Sequence, residues 1–366
     1  MRKYWIAAII AIISLNSCAI TPDAREKDLE ELLKIIPGSY LSKEAGYYIG
    51  NHAVFYDYEK IVKDYRKNAG YYKRELLLFF CEDDILKFYC HGYQLIPINF
   101  TGQIAGPFIL NDIWNDENTK ISRIVFLSFD GTSIYQGNFD YKSLTKIFNE
   151  YGFKEISDNS FALRNELFIF IKDRILVFSG NNEYIEALSA GQVSCPIAED
   201  TLFRQAVSRN RQAPFFVISR IGKIEIEKID FGLLTFEDTV DSIADKYLVP
   251  NRPIYPPRWE WFSYSTKIKD DYLDFNLEYF YDANNKPRSD IKLIEYSLAN
   301  LISLRYSDFN YNPDNYYKVN SIDCESNTIR ANISLFDKNL LRDMLKYRDI
   351  TFYYGLLGIS EKTKQD

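Results

Sequence analysis

Trp259–Ile268 (WEWFSYSTKI), the charged link Lys269-Asp270-Asp271 and Tyr272–Tyr281 (YLDFNLEYFY) form the stretch on which the fold turns. Two aromatic-rich runs joined by a short acidic link read as the strands of an antiparallel hairpin. A helix is expected behind them, from Ser289 to about Leu304. The same order recurs on both sides. Leu167–Ile171 and Ile175–Phe178 flank Lys172-Asp173-Arg174 and lead into a helix from Asn182 to Ala190. Tyr317–Cys324 and Thr328–Leu335 make a third hairpin, ahead of a helix over Asp337 to Tyr347 and a closing strand, Ile350–Tyr354. Two of the turns share the tripeptide Ile-Lys-Asp, at Ile171 and at Ile268. The expected class is therefore α+β: antiparallel sheets built from hairpin-then-helix units, arranged in two lobes, with helices on one sheet face.

Residues 250–257, Pro-Asn-Arg-Pro-Ile-Tyr-Pro-Pro, mark the boundary between those lobes. Proline fixes φ and donates no backbone hydrogen bond, so such a run stays extended and stops both helix and central strand. Lobe one is then 37–249 and lobe two 258–366. Within lobe one, Gly46 to Phe129 is strand-rich, with a hairpin of Leu76–Cys81 and Ile85–His91 and a strand from Ile121 to Phe129. Helices are expected over Asp140 to Phe153 and Thr201 to Arg209, and a buried strand at Phe215–Ser219. Ahead of the lobe, Leu29, Leu32, Leu33 and Ile36 recur at helical spacing until Pro37-Gly38 ends the run.

The composition fits sheets. There are 29 Tyr and 26 Phe, residues that suit pleated, half-buried surfaces. The formal net charge is −7, which leaves no basic stripe of the kind nucleic acid requires. Metal catalysis has little to work with, because His52 and His91 are the two histidines and neither has ligand spacing. No cofactor is implied.

Ser143-Leu-Thr-Lys146 and Ser157-Asp158-Asn159 match a pair of patterns found in serine β-lactamases and penicillin-binding proteins, which carry out acyl transfer. The two lie too close together, no Lys-Thr-Gly strand accompanies them, and Ser289–Lys292 repeats the first pattern by chance. A nucleophile elbow is absent, since Gly131-Thr-Ser133 lacks its second glycine. The carboxylate clusters Glu82-Asp83-Asp84 and Asp270-Asp271 read as solvated turns, with Glu237-Asp238 a third pair. Tyr255, Trp259, Trp261, Phe262 and Tyr264 crowd beside the prolines. As a strand, Trp259 and Trp261 share one face with Tyr264 opposite, so these rings are candidate ligand-binding aromatics for a sugar or peptide, the alternative being core packing. Cys81 and Cys90 flank a turn and could face each other; Cys195 is then left for Cys324, unless the thiols stay free.

The amino terminus says where the chain goes. Arg2 and Lys3 precede an apolar run from Tyr4 to Ile13, and Leu15-Asn16-Ser17-Cys18 closes it. This resembles the lipobox signal of bacterial lipoproteins. The resemblance implies a signal peptide over 1–17, a diacylglycerol on the Cys18 thiol, and acylation of the new amino terminus. The segment 18–36 then holds the lipidated cysteine and a short tether or amphipathic helix. Several acyl chains, at ~0.8 kcal/mol per buried methylene, hold such a protein on a membrane effectively for good. Ala19 in place of Asp implies the outer membrane, facing the periplasm. Loss of Arg2 and Lys3 leaves 42 basic against 51 acidic residues, a balance of −9. Membrane contact is thus expected through the lipid rather than through general surface charge. The expected protein is a non-catalytic envelope lipoprotein that binds a protein partner or envelope component. Its alternatives are a hydrolase using a carboxylate pair, for which two facing buried carboxylates are required, and a carrier of lipid or small molecules, for which an apolar cavity is required.

Overall fold

The computed structural model describes residues 24–41, 52–57, 59–60, 109, 112–113, 115–127, 132–220, 259–268, 272–283, 287–299 and 317–336. Twelve strands run through them: β1 (His52–Asp57), β2 (Lys120–Leu127), β3 (Ser133–Asn138), β4 (Lys154–Ser157), β5 (Ser160–Leu163), β6 (Leu167–Lys172), β7 (Ile175–Ser179), β8 (Phe215–Ser219), β9 (Trp261–Ile268), β10 (Leu273–Phe280), β11 (Tyr317–Glu325) and β12 (Thr328–Leu335). They form one sheet in the order β11-β12-β10-β9-β8-β1-β2-β3-β7-β6-β5-β4. Each neighbouring pair is antiparallel. The sheet dominates the molecule, and the class is mixed α/β with antiparallel pairing, as the hairpin patterns predict.

The helices are α1 (Ala24–Ile35), α2 (Tyr141–Glu150), α3 (Asn182–Ser189), α4 (Thr201–Asn210) and α5 (Ile291–Ala299). Their starts follow local chemistry. Asn181 accepts a hydrogen bond from the Tyr184 amide, and Asp200 from the Phe203 amide at 2.9 Å, each satisfying an otherwise orphaned N–H. The expected helix over 337–347, the hairpin over 76–91, the proline run 250–257 and the strand 350–354 lie outside the described residues.

Helices cover both faces of the sheet, not one. Because side chains alternate along a strand, each strand feeds two cores. On the first face, Phe55, Val125, Phe170, Val177 and Phe216 pack under α1, α3 and α4. On the second, Val54, Ile124, Tyr135, Phe161 and Ile169 pack under Leu144 and Phe148 of α2, while Tyr279 and Ile329 join Ile294 and Leu298 of α5. The strands are apolar at consecutive positions, as in β6 and β8, because neither face meets water there. A sheet covered on one face alone would show strict alternation.

Helix α1 is part of the body. Leu29, Leu32, Leu33 and Ile36 are all buried on the first face. Its first turns are tied down by Gln136, whose amide donates to the Asp28 carbonyl at 2.8 Å, and by Arg174, which pairs with the Asp28 carboxylate at 2.8 Å. Its far end is fixed by the Tyr184 hydroxyl donating to the Ile35 carbonyl and by the Ile197 amide donating to that of Ile36.

Candidate functional site

Strands β9 to β12 differ between their two faces. Their second face is apolar: Phe262, Tyr264, Phe275, Leu277, Tyr279, Ile329, Ala331 and Ile333 are all buried. The first face begins apolar beneath α4, at Trp261 and Phe280, and turns polar away from it. Cross-strand register sets Glu278 beside Ser263 and Arg330, and Asn276 beside Asn332.

Glu278 anchors this face. It is 8 % exposed, and one carboxylate oxygen meets Arg209 of α4 and Arg330 of β12, each at 3.2 Å. The other oxygen accepts from Asn210 at 3.3 Å. Arg209 also lies over the Phe280 ring, 5.5 Å from its centroid. A buried carboxylate tolerates its site only with such partners. Beyond it the Asn332 amide donates to Asp274 at 2.7 Å and to Asn276 at 2.9 Å. Asn320, at the bulge of β11, donates to Asn332 at 2.6 Å and Ser334 at 2.8 Å. Asn276 and Asn320 stay exposed. The result is a held row of amides and carboxylates that can exchange hydrogen bonds with a polar partner. Ser263, the hydroxyl beside Glu278, is wholly buried and accepts from the Asn210 amide at 3.0 Å.

The sequence-predicted residues fall elsewhere. Trp259, Trp261 and Tyr264 are core residues, at 4 %, 0 % and 4 % exposure. Trp261 packs edge-on against Phe203 and donates its indole N–H to Asp200 at 3.1 Å. Trp259 packs with Phe262 and Tyr279 on the opposite face. It precedes β9, so strand alternation does not govern it, and it lies on the same side as Tyr264 instead of beside Trp261. These rings therefore offer no stacking surface; Tyr255 lies outside the described residues. Cys195 is an exposed free thiol, and Cys324 a half-buried free thiol on edge strand β11, so they do not bridge each other. Cys18, Cys81 and Cys90 lie outside the described residues.

The catalytic patterns dissolve into local structure. Ser143 donates to Asp116 at 2.8 Å, while the exposed Lys146 pairs with Glu150 at 3.8 Å. Ser157 ends β4, and Asp158-Asn159 is the β4–β5 turn, with Asn159 at a positive φ of 64°. Among the described residues the buried carboxylates are Glu278 and Asp290. Glu278 lies on the first sheet face under α4. Asp290 lies on the second, just ahead of α5, hydrogen-bonded to Tyr281. They cannot flank one bond. Burial, with Asp290 added, pushes the Tyr281 hydroxyl far above the ordinary tyrosine range, and burial alone does the same at Tyr279. No group of three potential ligands is placed to hold a metal among the described residues. A small hollow between α1 and the sheet, lined by Asp57, Arg123 and Arg211, encloses about 10 Å³, room for one water rather than an acyl chain.

No protein-family description and no curated protein matches the chain. Among solved structures it is similar to crystal forms I and IV of TP0453, each with a TM-score of 0.38 at 8 % identity, covering 85 % of this chain and 96 % of theirs. Crystal form III of the same protein gives 0.37 at 9 % identity over 85 % and 97 %.

Proposed function

We propose that this chain is a lipid-anchored bacterial envelope protein whose non-catalytic body binds a protein partner or another envelope component. The observation that carries the reading is the segment Arg2 to Cys18, a charged start, an apolar run and Leu-Asn-Ser-Cys in order. The lipid on Cys18 attaches the body to the membrane, with the outer membrane facing the periplasm as its address. The binding surface is the polar row Asp274, Asn276, Asn332 and Asn320, where fixed donors and acceptors favour specificity over bulk affinity. Among the described residues, Glu278 and Asp290 lie on opposite faces and form no carboxylate pair, and the hollow beside α1 has room for one water. The body consists of two lobes, 37–249 and 258–366, which meet where β8 pairs with β9, Phe215 opposite Thr266.

The anchor is tested by Cys18→Ala. Wild type takes up labelled fatty acid and fractionates with membranes, whereas the variant does neither; a variant that still does both overturns the anchor. The binding reading is tested by cross-linking the acylated protein in intact envelope. A stoichiometric partner that is lost in Asn276→Ala/Asn332→Ala supports it, and recovery of the protein alone counts against it.

A further inference from the structure

We infer that the body stands on the membrane by one defined end: the strand termini where β2 starts, β3 and β6 end and β7 starts. This rests on the lipid anchor proposed above and adds an orientation to it. The register puts these termini together, with Lys120 opposite Asn138, Gln136 opposite Ile175 and Lys172 opposite Ile175. Helix α1 runs away from this end. Asp28, in its first turns, touches Gln136 and Arg174 here. Ile35 and Ile36 are fixed to Tyr184 and Ile197 at the other end, where Cys195 also accepts from the Gly38 amide.

The tether is short. Ala19 to Asp23 separate Cys18 from the first residue of α1, a reach of roughly 20 Å at full extension. Helix α1 has 12 residues and so is about 18 Å long. Because its contacts hold both ends, it cannot swing out to lengthen the tether without exposing Leu29, Leu32, Leu33 and Ile36. The end of the molecule at Asp28 is therefore within reach of the headgroups, and the end at Cys195 lies a helix length farther off.

The chemistry of the near end suits a headgroup layer. Exposed Lys27, Lys142 and Lys172 stand at these termini among the exposed carboxylates of Asp140 and Asp173, and Lys120 pairs with Glu59 at 3.0 Å, a mixed charge that matches a zwitterionic headgroup layer. Tyr141, 38 % exposed at the start of α2, adds an aromatic ring with a polar tip, the kind of side chain that settles at a membrane–water boundary.

The test uses the full acylated chain in phosphatidylcholine vesicles containing a lipid with a nitroxide on its headgroup. Cys81, Cys90 and Cys324 are replaced by serine, and a fluorophore is placed either on native Cys195 or on Lys172→Cys in a Cys195→Ser background. Quenching several-fold stronger at position 172 than at 195 is expected. Equal quenching, or stronger quenching at 195, overturns the orientation. Fatty-acid labelling of the same preparations separates the two claims, because a chain without acyl label fails the anchor reading before orientation is asked. A flexible insertion of twenty or so Gly and Ser residues between Asp23 and Ala24 should erase the difference between the two positions by lengthening the tether. A difference that survives the insertion means that the near end binds headgroups by itself, and overturns the short tether as the cause.

Discussion

Asp200 accepts the Phe203 amide with one carboxylate oxygen and the Trp261 indole with the other, so one side chain caps α4 and fixes the core ring beneath it. Trp261→Ala should cost about 3–5 kcal/mol, the usual price of emptying a large buried aromatic site, read as a shift in urea midpoint. A surface stacking residue would instead lose binding with its stability intact. Glu278→Ala leaves Arg209, Arg330 and Asn210 facing an uncompensated gap; a loss of about 3 kcal/mol is expected, and Glu278→Gln should lose less because it keeps hydrogen-bonding capacity. A further consequence appears in alkali. Burial, then the hydrogen bond and charge of Asp112, lift the Tyr151 hydroxyl from 10 to about 12, and Tyr135, Tyr279 and Tyr281 are raised beyond it. A tyrosine harder to ionise folded than unfolded contributes stability that is whole below pH 10 and declines as pH climbs toward the folded value. Unfolding followed from pH 9 to 12 should show this fall, and Tyr151→Phe should flatten part of it. At this scale the sequence was half legible. The two-residue period of WFSYS separates Trp261 from Phe262 and Tyr264, but nothing in the period says that α4 covers one side and an aromatic core the other. Nor does it reach Trp259, which lies ahead of the strand.

Elements were legible where a pattern had room to repeat. The hairpins β6–β7, β9–β10 and β11–β12, the helices α2, α3 and α4, and strand β8 all follow from apolar period and turn residues. Strand β3 does not declare itself, because Ser133, Gln136, Gly137 and Asn138 dilute its apolar residues although it lies between β2 and β7. Its polar residues have structural work: Gln136, 1 % exposed, holds α1. A side chain on Gly137 would run into the Lys120 carbonyl, at the irregular β2–β3 register. Gly137→Ala should therefore destabilise by about 1–3 kcal/mol, as overpacking does. For α1 the expectation is sharper. Leu32→Ala, at a wholly buried site, should cost about 2–5 kcal/mol and speed hydrogen exchange at the Gly38 and Ile197 amides, whose bonds to Cys195 and Ile36 need α1 to stay seated. Normal exchange there would mean that the helix is not held by its apolar side.

For the whole molecule, class was readable and strand order was not. Hairpins announce themselves through nearby turns, whereas the neighbours of β1 are β2 and β8, far away in sequence. The proline run suggests a division at 250–257, yet β8 and β9 pair across it over five residue pairs, from Phe215–Thr266 to Ser219–Phe262. A protease site inserted within 250–257 should thus yield two fragments that still elute together from a sizing column without denaturant. Separation on cutting would mean that the covalent link, not the pairing and the Phe203–Trp261 contact, holds the two fragments together.

The place of β1 between β2 and β8 also sets a clock. Phe55 pairs with Phe216, so the strand made early must wait for one made some 160 residues later. At ribosomal rates of about 5–20 residues per second, that delay is roughly ten to thirty seconds. Throughout it the centre of the sheet lacks its second neighbour, and the nascent chain has an open seam where the finished protein has none. Such distant closure slows folding. A chain whose central strand closes this late stays open and threadable for longer, a property built into the order of its strands.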